Sequence, residues 1–357
     1  MLKARMVRSW NEFKHRFSSD GQATDKSSKK NWGRFSLILL AALLILWSVL
    51  GIIWSREPAI YNMPSLAETH ANDSGQQLVV GYTTTYTLSY LGDYILTKPG
   101  GYLANDVTPP SIFLDNMPSW EFGVVIQLRD LARSLRKDMS RSQSQSTEDE
   151  FLAKAEPLLH FDHDSWMLPA TEGQYRQAIK LIDQYLAGLA DVDQGNAQFY
   201  ARADNLSSWL RDVETRLGSI SQRLSASVGQ TRFNTDMAGQ SSTAEQSTPT
   251  GQQQQVKTPR LMVDNVFYEA RGTSWALIHI LQAIEVDFAS VLEDKNALVS
   301  LQQIIRELEG TQSNIWSPII LNGNGLGLLA NHSLVMANYI SRANAAIIDL
   351  RELLEKG

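Results

Sequence analysis

The sequence predicts an all-α protein: an N-terminal transmembrane helix followed by an extramembrane multi-helix bundle with long, coiled-coil-like helices. Three observations carry that expectation. Residues 35–54, FSLILLAALLILWSVLGIIW, form an unbroken apolar run, and at about 1.5 Å per residue a helix of that length matches a bilayer's hydrocarbon core. Beyond it, apolar residues recur at steps of three and four through most of the chain. Helix-start signals and Pro/Gly-rich breaks separate the periodic segments.

The first 34 residues hold nine Lys/Arg (Lys3, Arg5, Arg8, Lys14, Arg16, Lys26, Lys29, Lys30, Arg34) against three acids (Glu12, Asp20, Asp25). The whole chain has 32 Lys/Arg and 38 Asp/Glu, net −6. The arm is therefore net +6 and the remainder net −12. Basic flanks resist translocation, so the asymmetry places the N-terminus in the cytoplasm and the C-terminal domain outside, the periplasm of a Gram-negative inner membrane. In the arm, Leu2, Met6, Trp10, Phe13 and Phe17 share a helical face among basic residues. Such a helix suits anionic lipid, and equally a retention signal or a protein-binding target. Polar SREP follows Trp54 with no small-x-small cleavage pattern, which favours an anchor over an export signal.

Residues 55–77 read as a polar tether and 78–228 as a first helical block. Within it, LVVGYTTTYTLSYLGDYIL carries Tyr82, Tyr86, Tyr90 and Tyr94 at fourfold spacing; it is too long for an ordinary strand and reads as a helix whose tyrosines pack. A Pro/Gly-rich connection leads to Ser119, a cap for a helix over 120–138. Thr147 with Glu150, and Thr171 with Gln174, form capping boxes for two more helices. Phe199, Ala203, Leu206, Leu210, Val213, Leu217, Ile220 and Leu224 then alternate steps of four and three, a seam that can face this chain or a second subunit. Residues 229–259, dominated by Gln, Ser, Thr and Gly, read as a disordered linker. The second block, 260–357, returns to helical spacing at Val266, Ala270, Thr273, Leu277, Ile280 and Ile284, and again at Met336, Ile340, Ala343, Ile347, Leu350 and Leu354.

Several strings carry a resemblance: KPGGYLANDVTPP, DNMPSWEFGVVIQLRDLARSLR, FYARADNL, RLGSISQRLSASVG, VFYEARGTSWALIH and ANHSLVMANYISRANAAIIDLR. Together they resemble a family of proteobacterial single-pass membrane proteins known only as a domain of unknown function. The resemblance implies a membrane location and carries no activity, cofactor or catalytic residue with it.

Chemistry-bearing residue types occur in weak patterns. HFDHDSW offers His160, Asp162, His163 and Asp164 as metal ligands, but near neighbours rarely converge on one ion, and a polar interhelix loop is the simpler reading. Gly323, Gly325 and Gly327 miss the phosphate-loop spacing and lack a βαβ context. Ser333 beside His332 lacks a nucleophile elbow. Asp191 and Asp193 open like a calcium loop without its sixth-position glycine or twelfth-position glutamate, and read as a helix-ending turn. Glu121 and Glu269 sit beside aromatic residues, Glu269 also near Arg271, and tryptophans 120, 166, 209, 275 and 316 lie beyond the apolar run. Carboxylates in an aromatic cleft are what glycan cleavage needs; core tryptophans and an internal ion pair are the plainer alternative. No cysteine is present, which removes disulfides, thiolate nucleophiles and sulfur-ligated metals.

The expected function is thus a membrane-anchored envelope protein, a non-enzymatic scaffold or protein-interaction module. The alternative is a cell-wall glycan-binding or glycan-cleaving protein using Glu121 and Glu269. No cofactor is expected. The expected partners are the lipid bilayer and an envelope protein or a second copy, and not nucleic acid, which an acidic domain grips poorly.

Overall fold

A computed structural model describes residues 26–141, 147–193, 197–233, 253–317, 319–323 and 330–356. The amphipathic helix expected over 2–17 lies outside them. The chain divides into two compact units, residues 1–52 and 53–357. Helix α1 (Lys26–Trp54) is 29 residues long and includes the span Arg34–Trp54, long and apolar enough to cross a membrane. Its side chains from Phe35 to Ile53 are mostly exposed, unlike those of a core helix.

The second unit is all-α apart from one short ribbon. Helix α2 (Met63–Ser74) lies within the stretch expected to be a tether. Its signals are local: the Asn62 side chain accepts from the Ser65 amide, Pro64 sits in the first turn, and Gly75 closes it at φ 65°. It buries only Met63, Ala67 and Ala71, a face too small to show as an apolar stripe. Helix α3 (Tyr82–Thr97) carries the tyrosines as expected.

Helix α4 (Asn116–Ser134) begins earlier than the cap expected at Ser119, whose hydroxyl instead donates to the Asp115 carbonyl, and ends in a π turn, Leu135–Met139. Helix α5 (Glu150–Leu159) is capped by Asp149, which accepts from the Phe151 and Leu152 amides, and not by Thr147. Helix α6 (Thr171–Ala190) includes Thr171 as its first residue; that hydroxyl ties back to the Asp162 carbonyl rather than capping.

Helix α7 (Ala203–Ser225) buries Leu206, Leu210, Val213, Leu217, Ile220 and Leu224, while Phe199 precedes the helix and packs edge-on against Phe288. A ribbon, β1 (Gln230–Phe233) with β2 (Gln253–Val256), follows; it is antiparallel and draws together the ends of the expected linker, of which 234–252 lie outside the described residues. Helices α8 (Val263–Asp287), α9 (Ala289–Asp294), α10 (Leu298–Gly310) and α11 (His332–Lys356) complete the unit. The α7 seam faces α11 of the same chain, antiparallel, with Ser207 donating to Glu355, Arg351 paired with Glu214 and Ser221 bonded to Ser341.

Both sequence blocks feed one hydrophobic cluster, from Leu88, Trp120 and Leu210 to Trp275, Leu301 and Ile340. At its centre α8 is buried on all sides: every residue from 269 to 281 is below the surface. The sequence showed one apolar stripe there, because Gly272, Ser274 and Ala276 fill the other faces without looking hydrophobic.

Their small size is what lets α4 come close. A Cβ at Gly272 would stand 1.9 Å from the Trp120 carbonyl oxygen, and one at Gly123 would stand 2.2 Å from that of Glu269. Both obstacles are backbone, which cannot swing aside. Gly272→Ala should therefore lower the unfolding free energy by ~2 kcal/mol or more through overpacking. Gly218→Ala, in α7 with no neighbour nearer than 3.7 Å, should be neutral or raise it by up to about 1 kcal/mol through helix propensity. Urea unfolding of both variants in detergent checks the contrast.

Candidate functional site

The junction where the chain leaves α1 concentrates the unusual polar chemistry of the second unit. Residues 57–63 run beside α8, and alternate residues of this strap meet successive turns of the helix. Arg271 holds the Glu57 carboxylate through Nε (2.8 Å to each oxygen) and Nη2. Trp275 Nε1 donates to the Ala59 carbonyl at 3.0 Å, the Tyr61 amide donates to His279 Nε2 at 2.9 Å, and the Met63 amide donates to Gln282 Oε1 at 3.2 Å.

Positions 271, 275, 279 and 282 share one helical face. Four helical residues advance about 6 Å, so two strap residues keep pace only if drawn nearly straight at ~3.3 Å each. A period of two is thus zipped onto a period of 3.6. Arg271 Nη1 also donates to the carbonyls of Thr311 (2.8 Å) and Ser313 (3.0 Å), fixing the end of α10 to the same point.

His279 Nδ1 lies 2.6 Å from the Trp275 carbonyl, which can only accept, so Nδ1 carries the proton and Nε2 is free to receive Tyr61. Burial pushes its pKa down to about 4, the Trp275 bond opposing in part. Tyr61 reaches the tyrosine ladder, with ring centroids 5.9 Å from Tyr90 and 5.8 Å from Tyr94, and edge-on to Trp275 at 6.5 Å. His70 of α2 lies against Tyr86 at 4.6 Å. The ladder is packing surface for the strap and α2, as its helical spacing predicts.

At the far end of α8, Asp287 accepts from the Thr84 amide at 2.6 Å and so caps α3, whose own first position, Gly81, has no side chain to do so. Burial raises the Asp287 pKa to about 6 against the pull of Thr84 and the neighbouring amides.

Glu121 is fully buried. Its carboxylate takes Lys98 Nζ at 2.7 Å and the Leu103 and Ala104 amides at 3.0 and 2.8 Å. Burial pushes its pKa up to about 7, opposed by Lys98 and those amides. The same lysine donates to the Gly101 carbonyl, closing the turn in which Gly100 (φ 90°) lies against the Trp54 ring, where a Cβ would stand 2.7 Å from it. Glu269 pairs with Arg223 of α7, not with Arg271: residues two apart on a helix point to different sides. The two carboxylates thus each hold a cation of their own.

His160 ends α5 with Nδ1 at 3.0 Å from the Glu156 carbonyl. The Asp162 and His163 carbonyls accept from Thr171 and Tyr102, and the half-buried His163 ring lies on Phe122 at 4.6 Å, its pKa lowered by burial. Asp164 follows in the same loop. Among the described residues no three His, Asp or Glu side chains converge as metal ligands. His332 Nδ1 accepts from the Leu321 amide, and Ser333 exchanges two bonds with Asn322, so both pin a loop; Gly323 is in its base, and Gly325 and Gly327 lie outside the described residues. Asp191 ends α6, as its turn reading expected. Shallow clefts of about 680 and 530 Å³ flank the strap, the first beside Gln282 and Arg306, the second beside Arg56 and Tyr268.

The model of a family described as an uncharacterised protein conserved in bacteria (DUF2333) matches residues 26–357. The chain belongs to this family. No curated protein and no solved structure matches it.

Two outcomes follow from the strap. Glu57→Ala strands a buried guanidinium and should cost about 3 kcal/mol of unfolding free energy, whereas Lys154→Ala, which removes an exposed pair with Glu150, should leave stability nearly unchanged; denaturant titration compares them. His279 has a folded pKa below its unfolded value, so its contribution is complete above about 6.5 and is lost as pH falls through about 4. Relative to His279→Gln, which cannot titrate, the wild type should lose roughly 3 kcal/mol across that window. Hydrogen exchange at the Tyr61 amide against pH reads it directly, and coincident profiles would refute it.

Proposed function

We propose that this protein is a membrane-anchored, non-enzymatic scaffold of the bacterial cell envelope. In this reading residues 1–34 are a cytoplasmic arm, α1 crosses the inner membrane, and the unit beyond it stands in the periplasm, where it engages an envelope protein or a second copy. The observation that carries the proposal is the strap. An apolar helix with an exposed surface is followed directly by a segment bonded at four alternate residues to the most buried helix of the bundle. A signal cut away on export would also remove the Trp54 ring from its place against Gly100.

The carboxylates support the non-enzymatic side. General acid and base chemistry needs a carboxylate within reach of substrate, and Glu121 and Glu269 are occupied by Lys98 and Arg223. Their role here is to hold the turn under Trp54 and to join α7 to α8.

A phosphatase reporter that folds only outside the cytosol, fused behind residue 357, should be active; activity of a cytosolic reporter alone overturns the topology. Cross-linking of the full chain in intact cells should yield a reproducible adduct. A strict monomer without adducts, or release of fragments from purified peptidoglycan that is lost on Glu121→Gln, overturns the scaffold reading.

A further inference from the structure

The exposed large apolar side chains of the second unit are unevenly distributed. Among the described residues beyond α1 the exposed aromatics are Phe113 (73 % exposed), Trp166 and Trp316 (94 %). All three belong to the end of the bundle that receives Trp54. Gly100, against Trp54, is two residues before Tyr102, whose hydroxyl donates to the His163 carbonyl at 2.8 Å; Asn105 Nδ2 donates to Ser165 at 2.8 Å and to Glu172 at 2.7 Å. These bonds tie the loop bearing Phe113 to the loop bearing Trp166 and Leu168. Trp316 lies three residues past Ser313, which is held by the Arg271 that grips Glu57. At the opposite end, around Asp287 and the start of α3, the exposed apolar residues are Leu78, Val80, Val192, Val286 and Val299, none aromatic.

Leu168 sharpens the pattern. It holds φ 58°, a left-handed conformation that strains a branched side chain, and its side chain is 91 % exposed. Packing does not explain that conformation, since the side chain meets almost nothing.

We propose that this end of the bundle rests on the membrane that holds α1, with Phe113, Trp166 and Leu168 inserted at headgroup depth. The proposal relies on the reading of α1 as a membrane span. The occupant follows from continuity: a bilayer holding α1 to its last residue puts its surface at Trp54, and the turn under Trp54 leads straight into the two loops. Tryptophan and phenylalanine favour that depth, where an apolar ring leaves water while the chain stays hydrated. Asp106, Asp115, Asp162 and Asp164 flank the tips, so the seating is apolar and suits zwitterionic lipid, with little dependence on salt.

The absence of cysteine makes the test direct. Single cysteines placed by Phe113→Cys, Leu168→Cys, Ile45→Cys and Val299→Cys in the full chain carry an environment-sensitive fluorophore, and each variant is reconstituted in phosphatidylcholine vesicles containing quencher-bearing lipids. Labels at 113 and 168 should be quenched at least ~2-fold more by shallow quenchers than the label at 299, equally at low and high salt. The label at 45 should respond to deep quenchers. Quenching at 45 with 113 and 168 no different from 299 overturns the seating and leaves the anchor standing; that face is then free for a protein. A label at 45 untouched by any quencher overturns both.

Discussion

Helix α8 has no solvent-facing side between residues 269 and 281, yet it carries Glu269, Arg271, Thr273 and His279 into that interior. A buried polar group is tolerated only where something answers it, and the answers come from distant parts of the chain. Arg223 of α7 takes Glu269, Glu57 takes Arg271, and the Tyr61 amide meets His279. Just past this stretch, Asp287 answers the open start of α3. The polar residues of one helix thus decide where three other segments are placed, and the apolar contacts fill in around them. Gly123 and Gly272 complete the arrangement from the opposite side, by letting α4 lie against backbone.

What was legible in the sequence is what depends on local period and local chemistry. The apolar run announced α1 by its length, and the four-three rhythm from Leu206 to Leu224 announced α7. The tyrosines of α3 read correctly as a helix because nineteen residues is too many for a strand. Start positions were less secure: Asp149 outcompeted Thr147 as a cap because it stands next to the first helical turn, and α2 escaped notice because its buried face is alanine.

Of the candidate site, Arg271 and Trp275 drew notice in the sequence, whereas Tyr61 and His279 did not, and none of the pairings was legible. Glu269 and Arg271 invited each other as sequence neighbours, but helical geometry turns them apart, and the true partners are 46 and 214 positions away. No periodicity encodes a contact of that range. Glu121 drew attention for its aromatic neighbours, and its surroundings give the reason for them: a turn of Lys98, Gly100 and Gly101 needs a charged hub and a dry wall.

The strap also has a mechanical meaning. Its four attachments follow one another along the chain, with the Glu57 guanidinium pair first in line behind the apolar helix. A tug directed along α8 is shared by all four at once, whereas a tug away from α8 peels them singly and meets the charged pair before any neutral bond. Force arriving through α1 is therefore delivered to the deepest helix of the body, and the sturdiest rivet stands at the edge where tearing would begin.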